Sequence, residues 1–79
     1  MTRVLVVEDS RTQALELQII LESAGHDVDI ATSGEEGLTR FKARGYDLVF
    51  SDIVMPGMTG YQFCRALRVL PEGADVPVV

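Results

Sequence analysis

Four apolar stretches punctuate the chain, each too short for a helix. Val4-Leu5-Val6-Val7 shows no alternation and is β-branched at three of four positions, the pattern of a central strand buried on both faces. Val28, Ile30 and Ala31 alternate in part with Asp27 and Asp29, which predicts a strand nearer an edge with one wetter face. A short third strand is expected over residues 47–51. Val76-Pro77-Val78-Val79 reads as the start of a fourth, behind a polar turn at residues 72–75.

Between these runs the apolar period changes to that of a helix. Ser10 and Gln13 form a Ser-x-x-Gln capping signal, after which Ala14, Leu17, Leu21 and Ala24 recur on one face until Gly25. Leu15, Ile19 and Ile20 make that face wider than one sheet contact needs, so a further covering element is expected. Ser33 and Glu36 repeat the signal before a helix with Leu38, Phe41 and the stem of Lys42 on one side, closed by Gly45. Thr59 and Gln62 give a third, with Tyr61, Phe63, Cys64, Leu67 and Leu70 expected to point inward and Pro71 as the stop. The order strand-helix-strand-helix-strand-helix-strand implies right-handed crossovers and an open parallel α/β sheet in one domain.

Composition narrows the reading. A chain of 79 residues, 47% hydrophobic and 24% charged, can fold, but it buries only about 60–65% of its unfolded surface. A net charge of −5 with seven Lys and Arg disfavours nucleic-acid binding by this segment. One cysteine, Cys64, excludes an internal disulfide, and no signal-peptide core or membrane span is present, so a cytoplasmic location is expected.

Acids stand where strands end. The first strand runs into Glu8-Asp9 and the third into Asp52, followed by the turn-forming Met55-Pro56-Gly57-Met58-Thr59-Gly60. The carboxyl edge of a parallel sheet is where ligands collect, so three carboxylates are expected to converge there. Their repulsion raises the pKa of at least one unless a cation sits between them. Oxygen-only ligands suit a hard ion such as Mg²⁺, beside which a carboxylate oxygen could attack phosphorus.

The acidic pair Glu8-Asp9, Asp52 and the loop from Asp52 to Gly60 resemble the receiver domain of two-component response regulators, whose loop reads D-x-x-M-P-x-M-x-G. The resemblance covers residues 3–79 and implies a flavodoxin-like sheet of strand order 2-1-3-4, with the last helices and fifth strand absent. It implies Asp52 as phosphoacceptor, Mg²⁺ held by Asp9, Asp52 and the backbone carbonyl of Val54, and Glu8 acting through water. Glu8 stands where many members carry Asp. The implied partners are a histidine kinase or phosphotransfer protein as donor and an output domain or effector outside this chain. The family's site Ser or Thr and its Lys fall outside residues 1–79, so the chain reads as the N-terminal part of one receiver domain, expected to self-associate through its uncovered surface.

Two other readings are weighed against this one. A receiver-like interaction module that is not phosphorylated would have no need of the acidic triad. A phosphohydrolase or nucleotide-binding enzyme would need a glycine in the first turn, Glu8-Asp9-Ser10-Arg11-Thr12, or an Asp two residues after Asp52, and has neither. His26 is expected at the surface, Cys64 as a core thiol, Met55 and Met58 as loop packing, and Gly57 and Gly60 as turn formers. Arg40, Lys42, Arg44, Arg65 and Arg68 are expected on solvated helix faces.

Overall fold

The structure, a computed structural model, describes residues 2–79. Three strands, β1 (Arg3–Val7), β2 (Asp27–Ala31) and β3 (Leu48–Ser51), alternate with helices α1 (Arg11–Ser23), α2 (Gly34–Arg44) and α3 (Gly60–Val69). All pairings are parallel and the order is β2-β1-β3, so the expected open α/β sheet with its central first strand is what forms. On the far side of β3, Val78 bridges Val49 in parallel, and Ser51 N–H donates to Val79 C=O at 3.0 Å. The segment at residues 76–79 therefore lies in the fourth position.

Alternation along β1 builds two cores. Leu5 and Val7 face α2 and α3 in a layer containing Phe41, Val49, Phe63 and Leu67, all buried. Val4 and Val6 face α1 over Ala14 and Val28, where Leu48, Phe50 and Leu17 are only partly buried. One face thus carries two helices and the other carries one. On the thinner face Leu15, Ile19 and Ile20 are 43%, 64% and 63% exposed, in line with the wide apolar stripe read from the sequence.

The helix ends follow the capping chemistry unevenly. At α3 the box is complete: Thr59 Oγ accepts from Gln62 N–H, and Gln62 Oε1 accepts from Thr59 N–H. At α1 and α2 only the cap side chain takes part; Glu36 reaches instead to Thr32, whose N–H donates to it at 2.6 Å and whose hydroxyl donates at 3.0 Å. Those bonds hold the Glu36 carboxyl below its ordinary value. Past α1, Gly25 (φ +92°) donates to Glu22 C=O and His26 to Leu21 C=O, the paired bonds of a Schellman stop that calls for a left-handed residue.

Several expectations are corrected. Tyr61 does not point inward but stands 69% exposed, because the inward stripe of α3 is set by Phe63 and Leu67, four residues apart. Lys42 is exposed and Cys64 is only half-buried, whereas Leu70, also half-buried, packs against the core as expected. The turn at residues 72–75 overlaps a 3-10 turn, Pro71–Gly73. Arg44 and Arg68 are not merely solvated. Arg44 pairs with Asp29 at 2.9 Å, and Asp29 also accepts the Tyr46 hydroxyl at 2.6 Å. Burial, followed by that acceptor, pushes the Tyr46 phenol up to about 12. Arg68 Nη1 donates to the carbonyls of Gly73 at 2.9 Å and Val76 at 2.6 Å, tying α3 to the fourth-position segment.

Candidate functional site

The sheet register places the acids. Val7 pairs with Ala31 on one side and Ser51 on the other, and the ladder runs one step further: Glu8 N–H donates to Ala31 C=O and Asp52 N–H to Val7 C=O, each at 3.0 Å. Asp52 and Glu8 therefore stand side by side just past the carboxyl ends of β3 and β1, each two residues beyond one (Phe50, Val6) that faces α1. Asp9 is next in the chain. Carboxylate oxygens of Glu8, Asp9 and Asp52 all lie within 4.8 Å of one another.

The three acids differ in setting. Asp9 is exposed and Asp52 is half-buried, whereas Glu8 is only 4% exposed and its Oε2 has no hydrogen-bond partner. Burial, followed by the hydrogen bond and charge of Asp52 and the charge of Asp9, pushes the Glu8 carboxyl up to about 7. A buried carboxylate oxygen with no donor, in a cluster made only of oxygen, suits a hard divalent cation. Asp52 is oriented by one firm contact, from Ile53 N–H to Oδ1 at 2.8 Å.

The loop after Asp52 is held from both ends. Met55 is buried in the α2–α3 core, Gly57 turns the chain at φ +79°, and Gly60 N–H donates to Ile53 C=O at 2.9 Å. Gly60 is not the turn former it was expected to be. A methyl group there would drive into the carbonyl oxygen of Asp52, so the residue is small because α3 begins against the backbone of Asp52. Val54, two residues past Asp52, lies in this loop with its side chain largely in solvent.

Side chains that the sequence did not assign to the site complete the surroundings. A cavity of about 450 Å³ opens between α1 and β3, where Gln13, Glu16, Leu17 and Ile20 of α1 face Glu8 and Asp52. Their spacing in sequence was visible as a helix face, but nothing local pointed that face at the acids. His26 and Cys64 lie outside both this cavity and the acidic cluster.

A family model described as the response regulator receiver domain matches residues 4–79. Protein PilH of Pseudomonas aeruginosa is 39% identical over 79 residues, an alignment that takes in 100% of this chain and 65% of that protein. The response regulator ArlR of Staphylococcus saprophyticus is 37% identical over all of this chain and 34% of its own length. Among solved structures, the chemotaxis protein CheY4 of Vibrio cholerae superposes with a TM-score of 0.97 at 33% identity, covering 99% of this chain and 65% of that one. The N-terminal domain of a response regulator receiver protein from Methanoculleus marisnigri gives 0.94 at 35% identity, covering 99% and 63%. The chain thus spans about two thirds or less of these relatives.

Proposed function

This chain belongs to the response regulator receiver domain family, and from that premise we propose that it is the phosphoacceptor part of a two-component signalling switch, with Asp52 as the acceptor. The observation that carries the proposal is the register that sets Asp52 beside Glu8, with Asp9 completing a cluster of carboxylates within 4.8 Å. Residues 1–79 are read as the N-terminal part of a single receiver domain. The donor is a phosphohistidine on a histidine kinase or phosphotransfer protein, the output lies in an effector or domain outside this segment, and the setting is cytoplasmic. Among the described residues no helix is long and apolar enough to cross a membrane.

Ile53 N–H holds Oδ1 of Asp52, and Oδ2 is the oxygen assigned as nucleophile. Attack of Oδ2 on phosphorus forms a P–O bond and breaks the P–N bond of the phosphoimidazole. The electron pair leaves with the ring nitrogen, which takes a proton from solvent, and Asp52 becomes an acyl phosphate. The ligands proposed for Mg²⁺ are Asp9, Asp52 and the Val54 carbonyl, with Glu8 reaching it through water; when bound, the ion offsets the charge of the carboxylates and of the incoming phosphoryl oxygens. The orphaned Oε2 of Glu8 fits that role as an acceptor for metal-bound water. The acyl phosphate would then bias a conformational equilibrium that the effector reads.

The test uses a polypeptide carrying this segment together with the residues that complete the domain in its relatives. With Mg²⁺ and a small phosphodonor, intact mass should show one added phosphoryl group, mapped to Asp52 and absent in Asp52→Asn. Undiminished labelling of that variant, or a map to Ser51, would overturn the assignment.

A further inference from the structure

The two halves of the acidic site sit on different strands, and one connection touches both. Ala31, at the end of β2, accepts the backbone N–H of Glu8 at 3.0 Å. Three residues later Gly34, the buried first residue of α2, lies against Met58 of the loop that follows Asp52. A Cβ on Gly34 would come within 2.7 Å of Met58 Sδ, 3.0 Å of its Cγ and 3.1 Å of its Cβ, so the contact involves the root of the side chain as well as its thioether. One turn on, Gly37 approaches Val7, whose carbonyl accepts the Asp52 N–H: an added Cβ would lie 2.9 Å from Val7 Cγ2. The start of α2 is itself fixed, by Ser33 capping Glu36 N–H at 3.1 Å and by Glu36 holding Thr32. It is therefore a stiff edge against which the loop rests.

We propose that Gly34 and Met58 are positioning residues for the acidic site: the bare backbone at Gly34 lets Met58 seat, and that seat sets where the loop carries Ile53 and Val54 relative to Asp52. Ile53 supplies the N–H that orients Asp52, and Val54 supplies the carbonyl assigned to the cation, so a shift of Met58 is felt at both. The cation-binding part of this inference rests on the function proposed above, whereas the effect on Ile53 does not. Support of a metal ligand from behind commonly alters affinity by one or two orders of magnitude.

A double-mutant cycle over Gly34→Ala and Met58→Ala tests it, with three measurements on each chain: the Mg²⁺ dissociation constant, the amide shift of Ile53 without Mg²⁺, and the thermal midpoint without Mg²⁺. Each single change is expected to move the Ile53 resonance and to weaken Mg²⁺ binding roughly ten-fold. The double variant should be no worse than the poorer single one, because the new methyl occupies space that Met58 vacates. If the midpoint falls while the Ile53 resonance and the Mg²⁺ affinity stay at wild-type values, the contact is packing alone and the inference is overturned. Additive losses in the double variant would also overturn it. Should Gly34→Ala not fold, Met58→Ala by itself moves Ile53 or does not. Should the unaltered chain bind no Mg²⁺, the metal reading above fails, and the Ile53 resonance still decides the coupling.

Discussion

At the scale of single residues the informative group is Glu8. A carboxyl whose pKa is raised on folding binds more protons in the native state than in the unfolded one between its two pKa values, so stability falls as pH rises through that window. For Glu8 the window runs from 4.5 to about 7. Glu36 works in the opposite sense: its lowered carboxyl contributes stability that is present above 4.5 and lost as pH falls through its folded value. Without Mg²⁺ the chain is therefore expected to be most stable on the acid side of neutrality and to lose stability as pH rises through the Glu8 window. Glu8→Gln should flatten that decline in denaturant titrations across pH. Mg²⁺ binding should strengthen as pH rises through about 7, because Glu8 must shed its proton to serve the ion's water shell. Asp9→Asn and Asp52→Asn should each weaken Mg²⁺ binding strongly, and Glu8→Gln less; titrations that leave all three equal to the unaltered chain would remove the metal site.

At the scale of elements, Arg68 has a structural task that its neighbours in sequence do not announce. Its guanidinium gathers the carbonyls of Gly73 and Val76, and thereby fixes the turn that brings residues 76–79 alongside β3. A charge-assisted hydrogen bond contributes about 1.5–3 kcal/mol. Arg68→Ala is expected to leave β1, β2 and α1 in place and to free the fourth-position segment selectively. Hydrogen exchange should then speed at the amides of Val49, Ser51 and Val79, which pair across that edge, while Val4–Val7 stays protected. Uniform acceleration over the whole chain would mean that the segment is not a separate unit.

At the scale of the whole molecule, the two sheet faces are unequal. The radius of gyration, 11.4 Å, matches the value of about 11.6 Å expected for a compact chain of this length. Apart from Tyr61 and Val69 on α3 and Ile53 and Val54 in the loop after Asp52, the exposed large apolar side chains lie on the side covered by α1 alone. Leu15, Ile19 and Ile20 of α1, the cavity floored by Phe50, and the outer edge of residues 76–79 all lie there. A polypeptide of these 79 residues alone is expected to self-associate through that side or to bind an apolar dye, since soluble monomers rarely expose such a patch beside an open sheet edge. Light scattering showing a monomer at micromolar concentration, with dispersed amide resonances and no dye binding, would defeat this.

What the sequence determined by itself is whatever is written in local spacing. Unalternating Val4-Leu5-Val6-Val7 could only be a strand covered on both sides, and Ser10, Ser33 and Thr59 marked three helix starts, because caps and periods act within a few residues. The acidic pair Glu8-Asp9 after one strand, and Asp52 with its Met-Pro-Gly loop after another, marked the candidate site. Other features had no local signature. That Glu8 is the buried acid, with one oxygen left without a donor, while Asp9 is exposed follows from where the ladder ends and which face residue 8 inherits. That Tyr61 faces water, that Arg68 reaches across to Val76, and that Gly60 must be bare for the sake of Asp52's carbonyl were decided by packing between distant segments. Spacing in sequence reports the neighbours of a residue on its own element; only the tertiary structure reports what the next element brings against it.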